Sequence, residues 1–313
     1  MTEQTLSTTD ERASGDRRES HDGPDGSTGA KRTRRRIVAP AIMLGGVAAA
    51  AIVFALGSRD AGPSLAVSGL IQGNVLVRRP DESDWEQLRS ISAPIIAGTG
   101  LRTTQAGRLA LTLTGSASLR LDAGSELTID AARNFDLARG TTYIDVGSTV
   151  VGDPYTLVTP HATISDIASQ VEVAVTSDSL RLRVRDGDAR IVTTTGAEAT
   201  ASTGEQLRID GDGDIVRDYV MPHDTEWAWV ETLAGTPIVD GRPLTQFLAW
   251  VARETGRPIR YDSPLTETSV ATAMLRGTAE NVTPMEALDV MLSTTNFDYS
   301  LRWDGSIVIA PRP

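Results

Sequence analysis

Apolar and polar residues alternate with a period of two along much of the chain between residues 65 and 220. The alternating stretches are short and turn residues separate them. "GRLALTLTG" and "RLRVRDGDARI" are examples, with glycine and aspartate at the breaks. This pattern is typical of antiparallel strands that bury one face and meet in hairpins. It predicts an all-β sandwich or roll of roughly a dozen strands over residues 65–220.

A run of twenty residues from Ile37 to Leu56 carries no charged side chain. As a helix it is long enough to cross a hydrocarbon core of about 30 Å. Basic residues crowd its N-terminal side, among them Arg34, Arg35 and Arg36, so the positive-inside rule predicts a cytoplasmic N-terminus. A cleaved signal peptide or a buried core helix are the alternatives. We expect one uncleaved transmembrane helix over residues 37–56, with the rest of the chain facing outward.

The segment before this run, residues 1–36, is polar and has few apolar side chains. It predicts a disordered cytoplasmic tail that ends in the basic patch "KRTRRR". The tail holds eight basic and seven acidic residues, which leaves 22 basic and 34 acidic residues after it. This acidic excess disfavours nucleic acid as a partner of the larger part.

Catalytic and metal-binding patterns are missing from the sequence. The chain has no cysteine and three histidines, His21, His161 and His223, none in a paired spacing. It contains no glycine-rich phosphate loop and no H-E-x-x-H. We therefore predict a protein that is not an enzyme, with no catalytic, cofactor-binding or metal-binding residues.

The last part of the chain, residues 234–313, shows helical spacing. Apolar residues follow an i, i+3, i+4, i+7 pattern over residues 243–255, and a similar stripe follows Thr283 and Pro284, which suit the start of a helix. Strands are expected on both sides of each helix, including one in "VATAMLRGTAE", so the order β-α-β-β-α-β predicts a small α+β domain. Its predicted core consists of Leu244, Phe247, Leu248, Val251, Leu288, Met291 and Leu292.

The β region resembles the FecR-type envelope regulators. The resemblance rests on an ordered series of strand and turn segments, among them "LRTTQAGRLALTL", "LDAGSELTID", "FDLARGTTYIDV", "PYTLVTPHATISDIASQVEVAV" and "ASTGEQLRI". One departure is Ala168 and Ser169, which stand where the family usually has a Gly-Thr pair. Residues 234–313 resemble the secretin/TonB short N-terminal domain, through "DGRPLTQFLAWVARETGRPIRYDSP" and "LRGTAENVTPMEALDVML".

These resemblances imply a signalling protein of the bacterial inner membrane with a periplasmic sensing region. FecR-type proteins receive a signal from a TonB-dependent outer-membrane transporter and control an extracytoplasmic-function sigma factor. The family's cytoplasmic part is normally a longer helical domain, whereas this tail is short and polar, so an envelope adaptor without sigma-factor binding is the alternative. Ala41, Gly45 and Ala49 form a small-xxx-small row that could let two membrane helices associate, so a homodimer is one option.

Overall fold

The computed structural model describes residues 63–90, 94–115, 117–147, 153–167, 169–235, 237, 239–279 and 282–313. Residues 59–313 form one compact unit. The predicted tail over residues 1–36 and the predicted transmembrane helix over residues 37–56 lie outside the described residues. Among the helices that are described, none is long and apolar enough to cross a bilayer.

The described part of residues 63–220 is built from strands, so the predicted all-β architecture is confirmed. The strands are β1 (Ala66–Gln72), β2 (Val75–Arg78), β3 (Glu86–Gln87), β4 (Thr99–Thr103), β5 (Arg108–Leu113), β6 (Ser118–Leu121), β7 (Glu126–Ala131), β8 (Asn134–Asp145), β9 (Tyr155–Val158), β10 (Ala162–Ile167), β11 (Gln170–Val175), β12 (Leu180–Asp186), β13 (Asp188–Thr193), β14 (Glu198–Ser202), β15 (Glu205–Ile209) and β16 (Ile215–Tyr219). The described residues form sixteen strands here, more than the roughly twelve expected.

The strands form two layers that share one long strand. Sheet A has the order β1-β5-β6-β8-β11-β12-β15-β16, and sheet B has the order β3-β2-β4-β7-β8-β9-β10-β13-β14. The first half of β8 pairs in sheet B and its second half pairs in sheet A. Gly140 lies where the strand changes sheet, with a φ of 87° that favours glycine, and a Cβ there would meet Ser125 at 2.4 Å. We refer to these two layers as the sandwich.

Alternate residues of both sheets fill the space between the layers. On β12, Leu180, Leu182 and Val184 are buried in this core, while Arg181, Arg183 and Arg185 point to the outer face of sheet A. The same alternation holds on β11, where the valines point inward. The period-two pattern of the sequence therefore fixes which side chains enter the core.

Beyond the sandwich, a connector over residues 221–233 contains a 3-10 turn (Thr225–Trp227) and helix α1 (Ala228–Glu231). The C-terminal module, residues 234–313, then contains helices α2 (Leu244–Thr255), α3 (Pro264–Thr272) and α4 (Pro284–Ser293) and strands β17 (Ile259–Tyr261), β18 (Phe297–Leu301) and β19 (Ile307–Pro311). The strand order is β17-β19-β18, with β17 parallel and β18 antiparallel to β19. Helices α2 and α4 pack together on this sheet and share one core with it.

The module departs from the predicted β-α-β-β-α-β order at its start and in its middle, since its described elements follow the order α-β-α-α-β-β. The expected strand in "VATAMLRGTAE" is wrong, because Val270 and the two residues after it belong to helix α3 and the described residues that follow form no strand. This helix has its own start signal, since the Ser263 hydroxyl accepts a hydrogen bond from the backbone N–H of Thr266 and Pro264 occupies the first turn. After α3 the chain is extended, and Met274 forms a single bridge with Pro243. The expected strand in "TPIVDG" is not formed in the described residues of that stretch.

Candidate functional site

The outer face of sheet A is polar and largely buried over β6, β8, β11 and β12, which is unusual for the outer side of an antiparallel sheet. The connector and the end of helix α2 cover it. We call this contact the polar interface. Its members on the sandwich are Arg120, Tyr143, Asp145, Gln170, Glu172, Arg181, Arg183 and Arg185, and its members on the covering elements are Glu226, Trp227, Trp229, Glu231, Arg253 and Glu254.

An ion pair between Arg120 and Glu254 joins the sandwich to the C-terminal module. Nη1 of Arg120 donates to Oε2 of Glu254 at 2.8 Å, and Nη2 donates to Oε1 at 2.9 Å, so the pair is bidentate. Arg120 is 2% exposed and Glu254 is 7% exposed. Nη1 of Arg120 also donates to the carbonyl of Val230 in the connector at 2.9 Å. One buried guanidinium therefore holds the sandwich, the connector and helix α2 together.

A second ion pair lies beside the first, because Arg253 precedes Glu254 on helix α2. Nε of Arg253 donates to Oδ2 of Asp145 at 3.1 Å, and its Nη2 donates to Oδ1 of the same carboxylate and to the carbonyl of Val146. Gln170 donates from Nε2 to Asp145 Oδ2 and to the carbonyl of Arg253, both at 3.1 Å. The neighbouring residues Arg253 and Glu254 of α2 carry opposite charges. Each thus binds a residue of the other sign on sheet A, Asp145 and Arg120 respectively.

Glu172 forms the centre of a third cluster, beneath the connector. Its carboxylate is 1% exposed and accepts from Arg181 at 3.1 Å, from Arg183 at 3.3 Å and from the indole N–H of Trp229 at 2.8 Å. Arg183 also pairs with Glu226 of the connector at 2.6 Å. The cluster fastens the connector to β11 and β12.

Trp227 anchors the connector by apolar contact. It is fully buried, packs edge-on against Tyr143 with 6.2 Å between ring centroids, and lies under the guanidinium of Arg185 at 5.2 Å. Val220 and Val230 complete this small hydrophobic cluster. The indole N–H of Trp227 donates to the carbonyl of Met221 at 2.9 Å. Arg185 in turn donates to the carbonyl of Pro222 at 2.7 Å and to Glu231 at 3.1 Å.

Two glycines bring the backbone of the C-terminal module close to the connector. Gly256 ends helix α2 with a φ of 63°, and a Cβ there would lie 2.0 Å from the carbonyl oxygen of Pro222. Gly305, in the turn between β18 and β19, would place a Cβ 2.3 Å from the ring of His223. Only glycine permits both approaches.

The formal charges of the polar interface balance. Five arginines face five carboxylates: Arg120, Arg181, Arg183, Arg185 and Arg253 against Asp145, Glu172, Glu226, Glu231 and Glu254. Burial by itself would lower the pKa of Arg120, but Glu254 outweighs it and raises the pKa above the ordinary value. The pKa of Arg253 is raised in the same way by Asp145, against its burial. Burial raises the pKa of Glu231 in spite of Arg185.

A groove of about 630 Å³ lies between the sandwich and the C-terminal module, beside the polar interface. Its floor is the outer face of β1, β5 and β6, including Leu70 and Ala110, and its far wall is the start of helix α4 with Val282 and Glu286. Both parts line it, so the groove exists only while they are docked. No group of three or more potential metal ligands lies together in the residues that the structure describes.

Comparison with known proteins identifies the β region. Residues 99–190 match the model of the family described as FecR protein. The chain carries a FecR domain. Two crystal structures of a "putative anti-sigma factor" from Parabacteroides distasonis ATCC 8503 align with 68% of this chain and 99% of their own, with 16% sequence identity and a TM-score of 0.37. A likeness this weak carries no argument. No curated protein matches the chain.

The FecR domain supplies every sandwich member of the polar interface. Arg120, Asp145, Glu172, Arg183 and Arg185 all lie within the matched residues. The match ends before the connector and the C-terminal module, so the elements that cover this face lie outside it. The polar interface is therefore the place where the FecR domain meets the connector and the C-terminal module.

The structure places the residues singled out from the sequence in two different situations. The seven predicted core residues of the C-terminal module lie together in one buried cluster: Leu244, Phe247, Leu248, Val251, Leu288, Met291 and Leu292. They are structural and none belongs to the polar interface. Arg34, Arg35 and Arg36 lie outside the described residues.

Sequence reasoning missed the polar interface. The only signal was local: "RLRVRD" places arginines on the outer face of one strand, where they suit solvent equally well. Their partners lie far along the chain, since Arg120 and Glu254 are separated by 134 residues. Neither the spacing nor the composition of the sequence connects them.

Proposed function

We propose that this chain is a non-enzymatic FecR-type signalling protein that regulates an extracytoplasmic-function sigma factor. The FecR domain over residues 99–190 is the observation that supports this role. The polar interface adds that the FecR domain is coupled to a C-terminal module, as a protein that relays a signal between two partners requires. Protein partners, rather than a substrate or cofactor, follow from this proposal.

We further propose that the chain is anchored in the bacterial inner membrane by residues 37–56, with the N-terminus in the cytoplasm and residues 59–313 in the periplasm. The uncharged run and the arginines before it support this topology. A periplasmic reporter fused after Pro313 should be active, and the full-length chain should stay with membranes. A soluble product that begins near Ser58 would contradict the anchor.

The C-terminal module, as a domain of the secretin/TonB short N-terminal type, is proposed to meet the periplasmic signalling region of a TonB-dependent transporter. The helices α2 and α4 on a three-stranded sheet agree with a small α+β contact module, although helix α3 replaces part of an expected strand. The domain boundaries, 65–220 and 234–313, remain predictions. The buried ion pairs between these two segments limit how far each can act independently of the other.

Two separate baits test the role, residues 1–36 and residues 59–313. Salt-resistant capture of a sigma factor by the tail would support direct regulation. The tail has few apolar residues, so we expect its cytoplasmic contacts to be electrostatic and to weaken with salt. Capture of a transporter signalling region by residues 59–313, with no sigma factor on the tail, favours the alternative of an envelope adaptor. Binding of neither partner would overturn the proposed role.

A further inference from the structure

The contacts that hold helix α2 against the FecR domain are polar, namely two ion pairs and the hydrogen bonds beside them. Arg253 and Glu254 bind Asp145 and Arg120. The apolar residues of α2 turn the other way, into the core of the C-terminal module itself. Separation of the module from the sandwich would therefore leave that core intact and expose charged side chains that water can hydrate.

The connector, in contrast, is held to the sandwich by apolar burial. Trp227 and Val230 pack with Tyr143 and Val220 in one hydrophobic cluster. The connector thus stays with the sandwich, and the part of the chain that can move begins after helix α1. Gly235 lies four residues after the end of α1 and is exposed, and no described atom comes within 4 Å of the position of a Cβ. Glycine adopts a wider range of backbone angles than other residues, which suits a pivot.

The docked state leaves polar groups unsatisfied. Nε of Arg120 and Nη1 of Arg185 are buried and have no hydrogen-bond partner among the residues that the structure describes. A buried donor without a partner is costly, and separation of the module would give water access to the Arg120 donor, whereas Arg185 stays beneath the connector. Complementary charged surfaces with an unsatisfied donor between them fix the position of the module on the sheet. They contribute little net free energy to the docked state.

We infer that the pairs Arg120–Glu254 and Asp145–Arg253 form a releasable latch. In the closed state they dock the C-terminal module on the outer face of sheet A. In the open state the module moves as an intact body about Gly235, while the connector stays on the FecR domain through Trp227. The close contacts of Gly256 and Gly305 with the connector separate in the same step. The groove between the two parts is lost on opening. This inference rests on the described residues and not on the sigma-factor role, so either can fail alone.

The absence of cysteine makes the latch directly measurable. Cysteines introduced in the full-length chain, in detergent, at the exposed positions Ser177 on the sandwich and Ser269 on helix α3 would carry nitroxide labels. Electron–electron resonance then reports the distance distribution between the two parts. In the Arg120→Glu variant two carboxylates face each other where the ion pair was. The fraction of molecules at distances other than the docked one should therefore rise by about tenfold or more. The swapped variant, with Arg120→Glu and Glu254→Arg together, should restore the original distribution.

Arg208→Glu is the matched control, because Arg208 lies on the same face of sheet A, pairs with Asp218 and is exposed. It should leave the distribution unchanged. Circular dichroism of the same samples distinguishes release from unfolding, and Arg253→Gln provides a milder second test. An unchanged distribution in both Arg120→Glu and Arg253→Gln would overturn the latch. The latch would also be overturned if these variants lost their helical circular dichroism signal at the same time as the original distance, since the module would then unfold rather than move.

Discussion

Removal of the Trp227 side chain tests the argument that the connector is anchored by burial. Trp227 is 0% exposed, so Trp227→Ala should cost about 3 to 5 kcal/mol from lost transfer and the cavity that remains. The indole hydrogen bond to Met221 adds about 1 kcal/mol. We therefore expect a loss of about 4 to 6 kcal/mol in the free energy of unfolding. Trp227→Phe, which keeps a ring but not the donor, should fall between this value and that of the natural chain.

Trp303→Ala is the matched control, because the same substitution is made at a tryptophan that is 97% exposed in the turn before β19. It should change the free energy of unfolding by less than about 0.5 kcal/mol. Urea unfolding of residues 59–313, followed by circular dichroism, measures both. A loss below about 1.5 kcal/mol for Trp227→Ala would refute the reasoning, since that is less than the large-to-small term alone.

Three further predictions can be tested by the same unfolding measurement. Gly256→Ala should destabilise by more than Gly241→Ala, because both have a positive φ but only the first meets a backbone carbonyl at 2.0 Å; equal losses would contradict the close approach. Leu248→Ala should cost about 2 to 5 kcal/mol, whereas Leu265→Ala, at a residue 77% exposed, should be nearly neutral. Burial, and then Arg257, lowers the pKa of His223, so stability should fall as the pH drops through about 6.5, where the unfolded chain binds the proton first. His223→Gln should flatten this slope between pH 7 and pH 5, and an unchanged slope would count against it.

Local sequence signals predicted the elements that depend on neighbours in the chain. Helix α2 was expected over residues 243–255 and is found at Leu244–Thr255, because its apolar stripe and the glycine after it lie within one segment. Helix α4 likewise begins at a capping box formed by Thr283 and Glu286. Helix α3 was missed although Ser263 and Pro264 mark its start, since it has no amphipathic stripe to draw attention to it.

The sequence by itself determined which side chains of β11 and β12 enter the core of the sandwich, because a strand turns alternate residues to opposite faces. The sequence did not determine what the side chains on the other face of these strands contact. Arg120, Arg183 and Arg185 have the same place in the alternating pattern whether they meet water or another part of the chain. Only the tertiary structure decided this, by bringing Glu254 to Arg120 across 134 residues of chain. An ion pair needs its two charged groups within a few ångströms of each other in space. The pattern of neighbouring residues in a sequence does not specify that distance.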